Sequence, residues 1–315
     1  MDATITEMRA VSPSGEGIRR LDEAFAYCAR ITAEHYENFP VASLFLPAEK
    51  RAYIQAIYAF SRTADDFADE GVELPGERLK KLEEWEDLLS ACYEGEASHP
   101  IFIALRETVQ RNDIPHQLLV DLLSAFRQDV VQQRYATFEE LLSYCTRSAN
   151  PVGRIVLRIF GYREDSLFGL SDNICTALQL ANFWQDISLD RAKDRLYIPL
   201  EDLERFGVPV GGWRDGVESA ATRELMKFQV ERTKELFWAG SELPARVDRD
   251  LHVELKLVWL GGMAILRSIE KSGFRTFSLR PTLGTFQKMI ILSRALFIND
   301  LTKFGKKKPW WDLTP

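Results

Sequence analysis

Apolar residues recur at three- and four-residue intervals along almost the whole chain, and the strict alternation of a half-buried strand is nearly absent. The spacing predicts helices over 21–36, 48–69, 76–93, 100–112, 115–134, 137–147, 151–160, 166–190, 218–240, 250–272 and 281–302. Pro40, Pro47, Pro75, Pro100, Pro115, Pro151, Pro199, Pro244 and Pro281 fall at or near the junctions. Proline is tolerated in a first helical turn and blocks continuation elsewhere, so these positions fit as helix boundaries. The pattern predicts an all-α fold. No Ser/Gly/Pro-rich linker, internal repeat or low-complexity tract divides the 315 residues, a length able to bury a large core. One large helical domain over 18–302 is therefore expected. A polar stretch over 1–17, expected to be disordered or loosely held, precedes it, and a basic, Trp-containing tail over 303–315 follows.

Two of these helices carry a polar stripe on an otherwise apolar body. One segment reads Tyr58-Ala-Phe-Ser-Arg62-Thr-Ala-Asp65-Asp66-Phe-Ala-Asp69-Glu70, the other Gln179-Leu-Ala-Asn182-Phe-Trp-Gln185-Asp186-Ile-Ser-Leu-Asp190. At about 100° per residue, Tyr58, Arg62, Asp65 and Asp69 share a narrow arc, and so do Gln179, Asn182, Asp186 and Asp190. Two such stripes facing each other make a carboxylate cage. Roughly seven acid pairs at this spacing arise by chance in a chain this acidic, and most belong to solvated faces. These two are distinguished by their apolar surroundings: Tyr58, Ala59 and Phe60 on one helix, Leu180, Ala181, Phe183 and Trp184 on the other.

Like charges four residues apart destabilise a helix by roughly 0.2–0.5 kcal/mol, and turning them inward adds a larger desolvation cost. A cation must compensate. Magnesium fits best, because it takes hard oxygen ligands and completes its shell with water and substrate phosphates. The implied ligand is a diphosphate.

Composition narrows the alternatives. A net charge of −7 argues against a general nucleic-acid binder, which needs a basic footprint. Cys28, Cys92, Cys145 and Cys175 and the four histidines show no zinc spacing, as expected of reduced, buried thiols in a cytoplasmic protein. No glycine-rich dinucleotide fingerprint, P-loop or GxSxG elbow occurs, so diphosphate chemistry runs through metal. The N-terminus has no signal-peptide pattern, and the longest apolar run, 257–266, is about half a membrane span. The tail Lys303-Phe-Gly-Lys306-Lys307-Lys308-Pro-Trp310-Trp311 reads either as a peripheral membrane contact or as a solvated segment with its indoles folded back.

The two stripes, in this order and separation, resemble the squalene/phytoene synthase family of head-to-head prenyl-condensing enzymes. The resemblance runs from about Leu21 to Phe277. It includes His35-Tyr36-Glu37-Asn38-Phe39, the YAFxRxxDD segment from Tyr58, the helix from Tyr144 to Gly153, and Arg195-x-Tyr197-x-Pro199 after the second stripe. The segments 37–43, 147–154 and 182–186 resemble the hydroxysqualene synthases of bacterial hopanoid biosynthesis.

The resemblance implies a class I isoprenoid synthase fold with a central active-site cavity. Asp65 and Asp69 would hold magnesium from one side, and Asn182, Asp186 and Asp190 from the other. Arg62, Arg195, Lys193 and the segment containing His35, Tyr36, Asn38 and Phe39 would contact a prenyl diphosphate, with Tyr58, Tyr144, Gln179 and Tyr197 in the same pocket. For His35 a structural role is an equal alternative, as is an exposed loop position for Lys193.

The implied reaction converts presqualene diphosphate and water to hydroxysqualene and diphosphate without NADPH. The enzyme would be cytoplasmic, with the membrane surface and the other hopanoid-pathway enzymes as further contacts. Phe39, Tyr58, Phe60, Tyr144 and Phe183 are candidates to face a carbocation, although aromatics at helical spacing are more often core.

Departures from the wider family stand out at four positions. Gln185 replaces an arginine, Gly262 replaces a pocket tyrosine, and Asn38 and Val41 stand where serine and an aromatic are common. These changes favour a substrate with one diphosphate. The alternatives are full condensation of two farnesyl or geranylgeranyl diphosphates to squalene, dehydrosqualene or phytoene, and a non-catalytic helical binding or assembly protein.

Overall fold

Proline and short polar side chains set the helix starts where the sequence placed them. In the computed structural model, which describes residues 15–34, 46–71, 73–298 and 300–303, Pro75 opens α3 (Pro75–Glu94) and Pro100 opens α4 (Pro100–Asn112). His99 caps α4 by accepting from the Ile101 N–H at 3.3 Å. Thr137 caps α6 (Phe138–Ser148) through the Glu140 N–H at 3.2 Å. Ser219 and Thr222 cap each other's backbone at the start of α11 (Ala220–Ala239). These bonds satisfy amides that a helix start leaves without partners.

The remaining long helices are α1 (Gly15–Glu34), α2 (Ala48–Asp69), α5 (His116–Val131), α7 (Asn150–Ile159), α8 (Asp165–Ala192), α12 (Arg249–Lys271) and α13 (Thr285–Phe297). No strand occurs among the described residues, only an isolated bridge between Arg134 and Leu196. The fold is all-α, as expected. Helix α1 begins inside the segment expected to be disordered, and residues 1–14 lie outside the described ones.

Two predicted helices are shorter than expected, each for a visible reason. Helix α5 ends at Val131, not at 134, because residues 133–136 leave it to pair with the chain after α8. Helix α13 starts at Thr285, not at 281, because the Pro281 carbonyl accepts from the Gln185 side chain at 2.6 Å. The stretch between α8 and α11 holds two short helices, α9 (Leu200–Arg205) and α10 (Val210–Arg214), too brief to register as periodicity.

Helix α8 forms the spine, packed by α6, α7, α11 and α12. Its Trp184 is fully buried and donates to Thr233 Oγ1 at 2.8 Å. On the other side, α1, α4 and α5 pack on α2. There Phe60 is fully buried, its ring stacked on Trp85 at 6.0 Å and edge-on to Phe102 at 5.9 Å. Phe60 is therefore core and cannot face a carbocation. Three of the four cysteines are buried, Cys175 is half-buried, and all are free. No described helix is long and apolar enough to cross a membrane.

Candidate active site

The two polar stripes border one cleft. Helix α7 packs against both α2 and α8, while α5 joins α2 and α6 joins α8, so the motif helices are held apart rather than packed on each other. Tyr58 from α2 and Asn182 from α8 line the same cavity. At the far end of the stripes, Asp69 and Asp190 lie close enough to influence each other's charge.

The chain leaving α8 closes this end. Asp194 adopts φ +55°, a left-handed conformation that aspartate tolerates better than most residues. The next residues then run beside the end of α5: Leu196 N–H donates to Gln133 O at 3.0 Å and Leu200 N–H to Tyr135 O at 2.9 Å. This pairing aims Arg195 at the C-terminal end of α2, where its guanidinium lies 2.5 Å from Asp69. Lys193 pairs with the same carboxylate.

Every acid of the first stripe is matched by a cation. Arg62 bonds to Asp65 at 3.1 Å and lies 2.5 Å from Asp66 and 2.7 Å from Glu70. Burial works to raise the Asp69 pKa, but Lys193 and Arg195 outweigh it and hold the group below its ordinary range. Asp190 behaves oppositely: burial first, then the like charge of Asp186, push it up to about 7 against the pull of Arg195 and Lys193.

Asp186 receives an arginine from a distance. Arg280, in the loop before α13, donates from Nε to Oδ1 at 2.6 Å and from Nη2 to Oδ2 at 3.3 Å. The loop is anchored by Gln185, almost fully buried, through its bond to Pro281 O. The position that lost an arginine in sequence thus holds the segment that supplies one.

The sequence missed a further acid. Asp129, on α5, accepts from the Tyr144 hydroxyl at 2.8 Å through Oδ2, while Oδ1 is sealed from water without a partner. Burial pushes its pKa up to about 7, opposed by Tyr144 and Arg195 and assisted by the charges of Asp65 and Asp69. Tyr144 belongs to an aromatic group in which Phe183 and Tyr197 stack at 3.7 Å and Tyr135 packs on Tyr197 at 5.9 Å. Asp129 and Arg280 carry no motif: one is a single polar position among several on its helix, the other lies in a loop.

Gln179 is half-buried one turn above Asn182. His35, Tyr36, Asn38, Phe39 and Val41 lie outside the described residues.

From the charged cleft an apolar cavity of about 420 Å³ extends between α7, α8 and α12, lined by Val152, Val156, Leu178, Leu255 and Val258 among others. Gly262 forms part of its wall. A Cβ there would lie 2.2 Å from Phe237 Cζ and 2.9 Å from Leu178 Cδ2. The Phe237 ring occupies the space a larger side chain would need.

No three His, Cys, Asp or Glu side chains among the described residues form a preassembled metal cluster. The acids are instead interleaved with Arg62, Lys193, Arg195 and Arg280, since like charges do not gather without a counter-ion. The donor set nonetheless fits magnesium: four carboxylates and an amide, all hard oxygen donors.

The squalene/phytoene synthase profile matches residues 32–287. A hydroxysqualene synthase of Zymomonas mobilis is 37% identical over 227 residues, spanning 70% of this chain and 75% of the relative. A 15-cis-phytoene synthase of Synechocystis sp. is 29% identical over 293 residues, spanning 89% and 87%. Among solved structures, squalene synthase HpnC from Alicyclobacillus acidocaldarius superposes with a TM-score of 0.77 at 40% identity, covering 81% of this chain and 96% of that one. A dehydrosqualene synthase superposes at 0.80 with 23% identity, covering 89% and 98%, which shows the shared fold. With this cleft and cavity on this helical frame, the chain belongs to the squalene/phytoene synthase family.

Proposed function

We propose that the protein converts presqualene diphosphate and water to hydroxysqualene and diphosphate. The observation that carries the reading is the junction of a charged cleft with an apolar cavity at Tyr58 and Asn182, which suits a ligand with a diphosphate head and a long hydrocarbon body. The half-reaction is favoured by the higher identity to a hydroxysqualene synthase, 37%, than to a phytoene synthase, 29%.

Asp65, Asp69, Asn182, Asp186 and Asp190 would hold magnesium, which supplies Lewis acidity at the leaving oxygens when bound. The protein's own cations act on the same charge. Arg62, Lys193, Arg195 and Arg280 stand on acids of the cleft. When a diphosphate enters, these side chains exchange their carboxylate partners for phosphate oxygens, and the acids are released for metal. Negative charge developing on the leaving group is then met by donors already in place.

The hydrocarbon body lies in the cavity, whose apolar wall delays capture of the cation by bulk water. Of the aromatic candidates among the described residues, Tyr58 lines this cavity and is placed to offer cation–π stabilisation. Tyr144 keeps its proton, because burial and the adjacent Asp129 raise its pKa well above the ordinary value.

A second reading is head-to-head condensation of two prenyl diphosphates. It is favoured by Arg280, which offsets the charge lost at Gln185, and by the longer span shared with phytoene synthases. Incubating the protein and magnesium separately with farnesyl diphosphate and with presqualene diphosphate, without NADPH, separates the readings. Hydroxysqualene from presqualene diphosphate alone is the expected result. Presqualene diphosphate, dehydrosqualene or squalene from farnesyl diphosphate, or phytoene from geranylgeranyl diphosphate in a parallel incubation, would establish condensation instead. Silence from all of them would leave a binding protein.

A further inference from the structure

Helix α13 is apolar on two opposite faces. Ile291 and Ala295 are buried where the helix packs on α12. Phe286, Met289, Leu292, Leu296 and Phe297 fall within an arc roughly 140° wide on the other side at helical spacing. They are exposed by 70%, 56%, 38%, 45% and 81%. Single exposed hydrophobics are ordinary on a protein surface, but a continuous stripe of five large ones marks a contact surface.

The sequence from this helix onward is strongly basic. From Thr285 to Trp311 the chain carries six cations, Lys288, Arg294, Lys303, Lys306, Lys307 and Lys308, against a single acid, Asp300, in a protein of net charge −7. Arg267 and Lys271 add to it, lining with Arg294 the groove between α12 and α13. Trp310 and Trp311 end the basic run. An apolar helix face bordered by Lys and Arg and followed by a polybasic, Trp-bearing segment has the chemistry of an element lying in the headgroup plane of an anionic bilayer.

We propose that α13 and the basic segment after it dock this protein on an anionic lipid surface, with the Phe286–Phe297 stripe entering the acyl boundary. A second copy fits the face less well, because a two-fold contact would set Lys288 and Arg294 against their own counterparts. The proposal holds for either reaction and rests on residues other than those assigned to the acid cleft.

The test is flotation of the full-length protein with vesicles of phosphatidylcholine alone or mixed equally with phosphatidylglycerol, at low and high salt. Wild type should bind the mixed vesicles in preference to neutral ones and release in salt. The combined F286S, M289S and F297S variant should bind roughly tenfold or more weakly while keeping its melting temperature and its elution volume. K306Q/K307Q/K308Q should lose the preference for anionic lipid. Absence of wild-type binding, or equal binding by the serine variant, would overturn the proposal. So would a wild-type dimer that the serine variant dissociates, which assigns the stripe to a second copy. A lower melting temperature in the serine variant would assign it to the chain's own tail.

Discussion

Arg280 reaches Asp186 across 94 positions of sequence, with Nε donating to Oδ1 at 2.6 Å and Nη2 to Oδ2 at 3.3 Å. The residue preceding Asp186 makes this possible, because the Gln185 amide grips the carbonyl next to Arg280. Arg280→Ala should therefore weaken binding of a non-hydrolysable prenyl diphosphate analogue by about 1.5–3 kcal/mol, the usual worth of a charge-assisted hydrogen bond. Gln185→Ala should show the same loss in part, by releasing the loop. Calorimetric titration with magnesium present checks both, and unchanged affinity in Arg280→Ala would remove Arg280 from the site.

Asp69 pairs with both Lys193 and Arg195. Asp69→Asn should lower activity about 100-fold or more. It should also destabilise the metal-free protein by about 1–3 kcal/mol, since two cations lose a partner. Thermal melts with and without inorganic diphosphate test the second effect: diphosphate should stabilise the variant more than the wild type, because it replaces the lost anion.

Asp129 predicts a pH dependence with a definite sign. Its pKa is raised from an ordinary 3.8 to about 7 in the folded protein. The fold therefore binds this proton more tightly than the unfolded chain does, and stability falls as pH rises from about 4 to about 7. Asp129→Asn keeps an acceptor for the Tyr144 hydroxyl and removes the buried charge. In metal-free melts its advantage over wild type should be absent near pH 4 and grow to at most about 2–4 kcal/mol above pH 7. A difference independent of pH would mean that the carboxyl is ionised throughout.

Gly262 is pinned by the Phe237 ring. Gly262→Ala should destabilise by about 1–3 kcal/mol through overpacking, and Phe237→Leu in the same chain should recover part of that loss. Failure of the double variant to recover would place the strain on Leu178 instead.

The two acid stripes were legible because they obey helical spacing on helices whose other faces are apolar, and both the register and the order of the helices followed from that local rule. The all-α class and most helix starts were legible for the same reason, with proline and capping residues marking the ends. Local rules fail where a partner lies far along the chain. The shortening of α5 was invisible because its cause is a pairing with residues beyond α8. Phe60 read as a cavity residue from its neighbourhood in sequence, whereas Trp85 and Phe102, on other helices, made it core. Gln185 read as a lost charge because nothing local ties it to Pro281, and Asp129 is one polar position among many until α6 brings Tyr144 against it. Sequence by itself determined which side chains each helix offers, through backbone periodicity; tertiary structure decided which of them share a cleft and which cation answers each acid, because electrostatics and packing act through space and not along the chain.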